Sequence, residues 1–119
     1  MKYFWGIVLI VVSLSSCYYN NEEDLTGVIA CDISAVKYST DVAKIMDDYC
    51  NACHSTDQKQ GKVILDSYSQ VATYVKNGKL MGSIQHKFGY SAMPKNAGRM
   101  SNCSIATIKA WIDKGYPND

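Results

Sequence analysis

The sequence predicts an all-α domain, and three observations carry that reading. Apolar residues recur at helical spacing in separate stretches, bounded by residue types that start or stop helices. No stretch from Val28 onward sustains the two-residue alternation of a strand. Of 119 residues, 47% are hydrophobic and 19% charged, which excludes full disorder and permits a core. The length allows one domain. Twelve Lys and Arg against 11 Asp and Glu give a net charge of +1, which excludes a basic nucleic-acid footprint over the whole chain.

Three to four helices are expected. The first spans about Thr40 to Asn51. Its apolar positions Val42, Ile45, Met46, Tyr49 and Cys53 follow the i, i+3, i+4, i+7 pattern, and Asp41 suits the first-turn dipole. A second starts near Ser67, where Ser67 and Gln70 have capping-box spacing. It turns Tyr68, Val71, Tyr74 and Val75 inward and stops at Asn77-Gly78. A shorter helix covers about Leu80 to His86. The last is capped by Ser101 and runs to Lys114, burying Ile105, Ile108, Trp111 and Ile112. Gly115 and Pro117 end it.

The N-terminus reads as a targeting segment. Lys2 precedes an apolar run, Phe4 to Val12, too short to span a bilayer, which takes about 20 residues. Leu14-Ser15-Ser16-Cys17 follows and resembles the lipobox of bacterial lipoproteins. That resemblance implies a signal peptide over 1–16, cleavage before Cys17, and a lipid on Cys17. An ordinary signal peptide with Cys17 a bystander is the alternative. Residues 17–27 are polar and acidic without periodicity and read as a solvated tether. The domain proper covers 28–119, small enough to need a staple.

Cys50-Asn51-Ala52-Cys53-His54 is C-x-x-C-H, the attachment signature of c-type haem. Cysteines three apart share one helical face, so both sulfurs reach one porphyrin edge. The adjacent His54 supplies the proximal iron ligand, and its other ring N–H needs an acceptor. Three alternatives compete. A thioredoxin-like C-x-x-C opens a helix and does not need His54. Zinc takes four ligands, usually in two pairs, whereas Cys31 and Cys103 are single and far apart. A disulfide within the motif would be strained.

Met93-Pro94 lies in a turn-rich stretch, Gly89 to Gly98. Pro94 fixes its own φ and biases Met93 towards an extended conformation, presenting the thioether from a stiff loop. Met93 is the leading distal ligand and His86 the rival; an open sixth site is the third option. Met46 and Met81 read as core, and Met100 as a staple before the Ser101 cap.

Helix, C-x-x-C-H, short helices, Met-Pro loop and a terminal Trp-Ile helix ending at Gly: this order resembles class I cytochromes c over about Ser39 to Pro117. The resemblance implies a small fold packed around one covalent haem c, with first and last helices crossing. Ala43 would be the small residue at that crossing and Trp111 the large one. The family often has a glycine and an aromatic where Ala43 and Met46 stand. Many members supply a proline carbonyl to the ligand histidine; no proline lies between His54 and Pro94 here.

With the haem cysteines and Cys17 assigned, Cys31 and Cys103 remain and are expected to form a disulfide in an oxidising compartment. Two thiols packed as small hydrophobes are the alternative. Charge is uneven. Between Cys17 and Asp57 acidic residues dominate; from Gln58 onward basic ones do. Lys59, Lys62, Lys87, Lys95 and Arg99 fall in loops expected near the haem pocket. They are either ordinary solvated residues or a rim that steers an acidic redox partner.

The leading functional expectation is a non-enzymatic electron carrier. It would be lipid-anchored to a bacterial membrane outside the cytoplasm and exchange one electron with redox partner proteins. One alternative is a peroxidase-like haem enzyme, with His86 the histidine available as distal acid/base. Another is a sensor of carbon monoxide or nitric oxide, from whose iron Met93 departs.

Overall fold

The computed structural model describes residues 31–119. The expected leader, the Cys17 lipid site and the whole acidic tether lie outside them. The described residues are mostly helical and contain no strand. A π-helical turn, Tyr38–Val42, runs into α1, Ala43–Tyr49, and α2 follows at Asn51–His54. A 3-10 turn covers Gln60–Lys62; α3 is Tyr68–Lys76, α4 is Lys79–Ile84 and α5 is Asn102–Asp113.

The first helical stretch starts two residues earlier than expected and is broken at Cys50, whose φ of −120° and ψ of −45° depart from helix. The C-x-x-C-H motif is therefore its own helical turn after a kink, rather than the end of one continuous helix. Asp41 acts at the start of that stretch: its carboxylate accepts the Lys37 N–H at 2.9 Å and the Thr40 hydroxyl at 2.8 Å. Those bonds hold the Asp41 carboxyl below its ordinary range.

Ser101 caps α5 as expected, accepting the Ser104 N–H at 3.0 Å. Ser67 precedes α3 in extended conformation, but its side chain makes no cap bond, so the capping box with Gln70 does not form. Its hydroxyl lies 3.4 Å from that of Ser69 instead. The fourth helix stops at Ile84, two residues short of the expected end, because His86 takes a left-handed φ of 54°.

Val42, Met46, Val71, Ile105, Ile108 and Trp111 are buried at the centre of the core. Met100 is buried too, and Met81 packs at the core's margin. Trp111 sits among Tyr38, Tyr68 and Tyr116, with ring centroids 5.4, 6.4 and 6.0 Å away. Its indole N–H donates to the Pro117 carbonyl at 2.9 Å, satisfying the one polar atom of a fully buried side chain. The last helix thus meets the start of the first through Trp111 and Tyr38. The chain end joins in: Asp119 accepts the N–H groups of Tyr38 and Ser39 at 2.9 and 3.0 Å. Those are two donors that a helix start leaves without internal partners. Cys31 and Cys103 lie at disulfide distance, Cα to Cα 5.6 Å, tying the N-terminal arm to α5.

Candidate functional site: a cavity lined by the cysteine–histidine motif and the methionine loop

A cavity of about 680 Å³ opens between α2, α4 and the loop before α5. Cys50, Cys53, His54 and Met93 all border it. Its walls are largely apolar, with Val63, Leu65, Leu80, Ile84 and Met100 among them. That size and character suit a bound small molecule or cofactor.

The kink at Cys50 and the turn after it set the motif's geometry. The Cys53 and His54 N–H groups donate to the Cys50 carbonyl at 3.1 and 2.9 Å, closing a single turn. Cys53 is exposed, and Cys50 is more enclosed. Burial pushes the Cys50 thiol up to about 11. The chain then folds back: the Leu65 N–H donates to the His54 carbonyl at 2.7 Å, and the Thr56 N–H to the Asp66 carboxylate at 2.5 Å. The latter bond lowers the Asp66 carboxyl.

Within that return, the Gln60 carbonyl lies 3.1 Å from His54 Nδ1. A carbonyl only accepts, so Nδ1 is the donor in this contact, which directs Nε2, the other ring nitrogen, to any ligand. Sequence reasoning found no acceptor for this ring because it looked for a proline. The acceptor is instead the carbonyl of a tight turn. Lys59, Gly61 and Lys62 all take positive φ, at 44°, 64° and 61°. Lys-Gln-Gly-Lys was the legible signal, since glycine at such a place marks a turn.

Met93 reaches the cavity from a loop folded onto α4. Its N–H donates to the Ser83 carbonyl at 3.1 Å. The peptide bond between Met93 and Pro94 is cis. His86, the rival ligand, is exposed and does not border the cavity; its Nε2 lies 2.9 Å from the Met93 carbonyl. Met100, expected as a staple, borders the cavity as a second, more deeply buried thioether. Of the five proposed rim residues all are exposed, but only Lys95 borders the cavity. Lys79, at the start of α4, borders it as well and was missed, because its place depends on how α4 packs.

Among the described residues, no three His, Cys, Asp or Glu side chains gather as a metal-binding group. Among the same residues, no helix is long and apolar enough to cross a membrane. No protein-family model, characterised protein or solved structure matches the chain.

Proposed function

We propose that the chain is a membrane-tethered electron-transfer protein with a class I cytochrome c-like fold. One haem c would be attached through Cys50 and Cys53, with His54 as proximal and Met93 as distal iron ligand. What supports this most is that these four residues, from two distant parts of the sequence, border one apolar cavity. When bound, the group supplies one-electron exchange at its iron.

The chain's own residues prepare for it. The two cysteines bracket one helical turn and provide thiols for thioether attachment. His54 donates its Nδ1 proton to Gln60, which orients the ring and leaves Nε2 free to ligate. Met93 supplies a soft thioether, which favours the reduced state. The apolar walls exclude water and keep polar reorganisation around a changing charge small. Two strong protein ligands leave no position for a substrate, which favours transfer over catalysis. The peroxidase alternative draws less support, because the histidine available to it, His86, lies off the cavity with Nε2 engaged by the Met93 carbonyl.

In the same proposal a lipid on Cys17 holds the protein at a bacterial membrane, outside the cytoplasm. That raises its effective concentration near membrane redox partners. Expression in a host able to attach haem tests the core of it. The purified protein is expected to absorb visible light and to exceed its peptide and lipid mass by one haem. Cys50 and Cys53 should resist alkylation even after denaturation. A colourless product in which both thiols alkylate would overturn the reading.

A further inference from the structure

After α4 the chain makes one compact excursion and returns to its starting point. The Lys87 N–H donates to the Gly82 carbonyl at 2.9 Å, and the Tyr90 N–H to that of Lys87 at 3.2 Å. The Tyr90 ring lies directly on Gly82, where an added Cβ would collide with it. Three residues later both polar atoms of the Met93 backbone are engaged by the end of α4 and the residues just after it. Ser83 accepts from its N–H, and His86 Nε2 lies 2.9 Å from its carbonyl. A carbonyl only accepts, so Nε2 is the donor.

The His86 ring makes its contact with Met93 at the surface. It is exposed, so burial does not hold it there. The left-handed φ of 54° at His86 belongs to the end of α4, where the His86 N–H donates to the Ser83 carbonyl at 3.1 Å and the Lys87 N–H to that of Gly82. The ring contact with Met93 is separate from that backbone closure. No other side chain among the described residues donates a hydrogen bond to the segment 87–98.

We propose that His86 is a positioning residue for the distal ligand. Its imidazole clamps the Met93 carbonyl, and with Ser83 it fixes the backbone from which the thioether enters the cavity. This rests on the proposed haem reading. It turns the histidine that competes with Met93 for the iron into the group that holds Met93 in place. A net hydrogen bond of this kind changes a local opening equilibrium by about three- to tenfold.

Two variants separate donor from strain. His86→Gly removes the donor without backbone cost at a positive φ. His86→Gln restores an N–H at similar reach. Amide hydrogen exchange is read first. In His86→Gly the Met93 N–H is expected to exchange about three- to tenfold faster, with Ile108 in α5 unchanged and His86→Gln close to the parent. In the haem-loaded protein, the imidazole concentration that halves the far-red methionine–ferric absorption band is expected to fall by a similar factor and to recover in His86→Gln. Unchanged Met93 exchange in His86→Gly, or His86→Gln as labile as His86→Gly, would overturn the clamp. If the parent protein lacks the far-red band, the Met93 ligand reading fails by itself, since the exchange comparison still decides whether His86 holds the loop.

Discussion

Single side chains and single carbonyls decide how the cavity is furnished. Met93→Ala is expected to abolish the far-red band in the haem-loaded protein; an unchanged spectrum would reassign the distal ligand. Gly82 is set by its neighbour, since any Cβ there meets the base of the Tyr90 ring rather than a flexible tip. Gly82→Ala gains about 1 kcal/mol in helix propensity but loses about 1–3 kcal/mol through overpacking. A net loss of about 1 kcal/mol is expected in urea unfolding, with Tyr90 moved off α4 in NMR spectra. Asp41 and Asp66 accept backbone N–H groups that hold both carboxyls below their ordinary value of 3.8. A depressed folded-state value means the stabilisation is present above the unfolded value and is lost as pH falls through the lower one. The urea midpoint should therefore drop on acidification below about pH 4. Asp66→Asn should lower it at neutral pH and make the acid decline shallower; an identical decline in Asp66→Asn would show that Asp66 does not contribute.

Helix ends behave differently at positions that look alike in sequence. Ser101 and Ser67 each precede a helix and carry the same hydroxyl. Only Ser101 makes the cap bond, to the Ser104 N–H. Ser101→Ala is expected to cost about 1 kcal/mol and Ser67→Ala only a few tenths, compared by urea unfolding at one pH. Equal losses would contradict the cap assignment. The kink at Cys50 works at the same scale. It separates the motif's turn from α1, so α1 can bury Met46 in the core while the motif faces the cavity. Hydrophobic periodicity does not reveal such a break, because Val42 to Cys53 fit one unbroken stripe.

At the scale of the whole molecule, long-range links tie the N-terminal arm and the first helical stretch to the C-terminal part: the Cys31–Cys103 pair, Asp119 on the first helix start, Lys114 on the Val36 carbonyl and Trp111 against Tyr38. A bridge spanning 72 residues of sequence is worth about 4 kcal/mol by chain entropy. Cys31→Ser with Cys103→Ser is expected to lower stability by that order, in urea unfolding without reductant. Unchanged stability would mean that the cysteines are not bridged. Of the five basic residues expected to steer an acidic redox partner, all are exposed but only Lys95 borders the cavity, as Lys79 also does, so any steering there would rest on those two. Electron exchange with that partner should slow as ionic strength rises, and a flat response would remove the steering role.

The all-helical class, the last helix with its Ser101 cap and buried Trp111, and the motif at Cys50–His54 were legible in the sequence alone. Each rests on spacing within a few residues, which local propensity and hydrophobic burial dictate wherever the segment ends up. The Gln60 carbonyl against His54, the His86 contact with Met93 and Asp119 on the first helix start were not. Those pairings join groups by backbone direction or across long separations. A main-chain carbonyl carries no residue-type signature, so its partner exists only once the loops have closed. Spacing thus singled out the residues proposed to hold an iron, while tertiary closure decided which neighbours aim them.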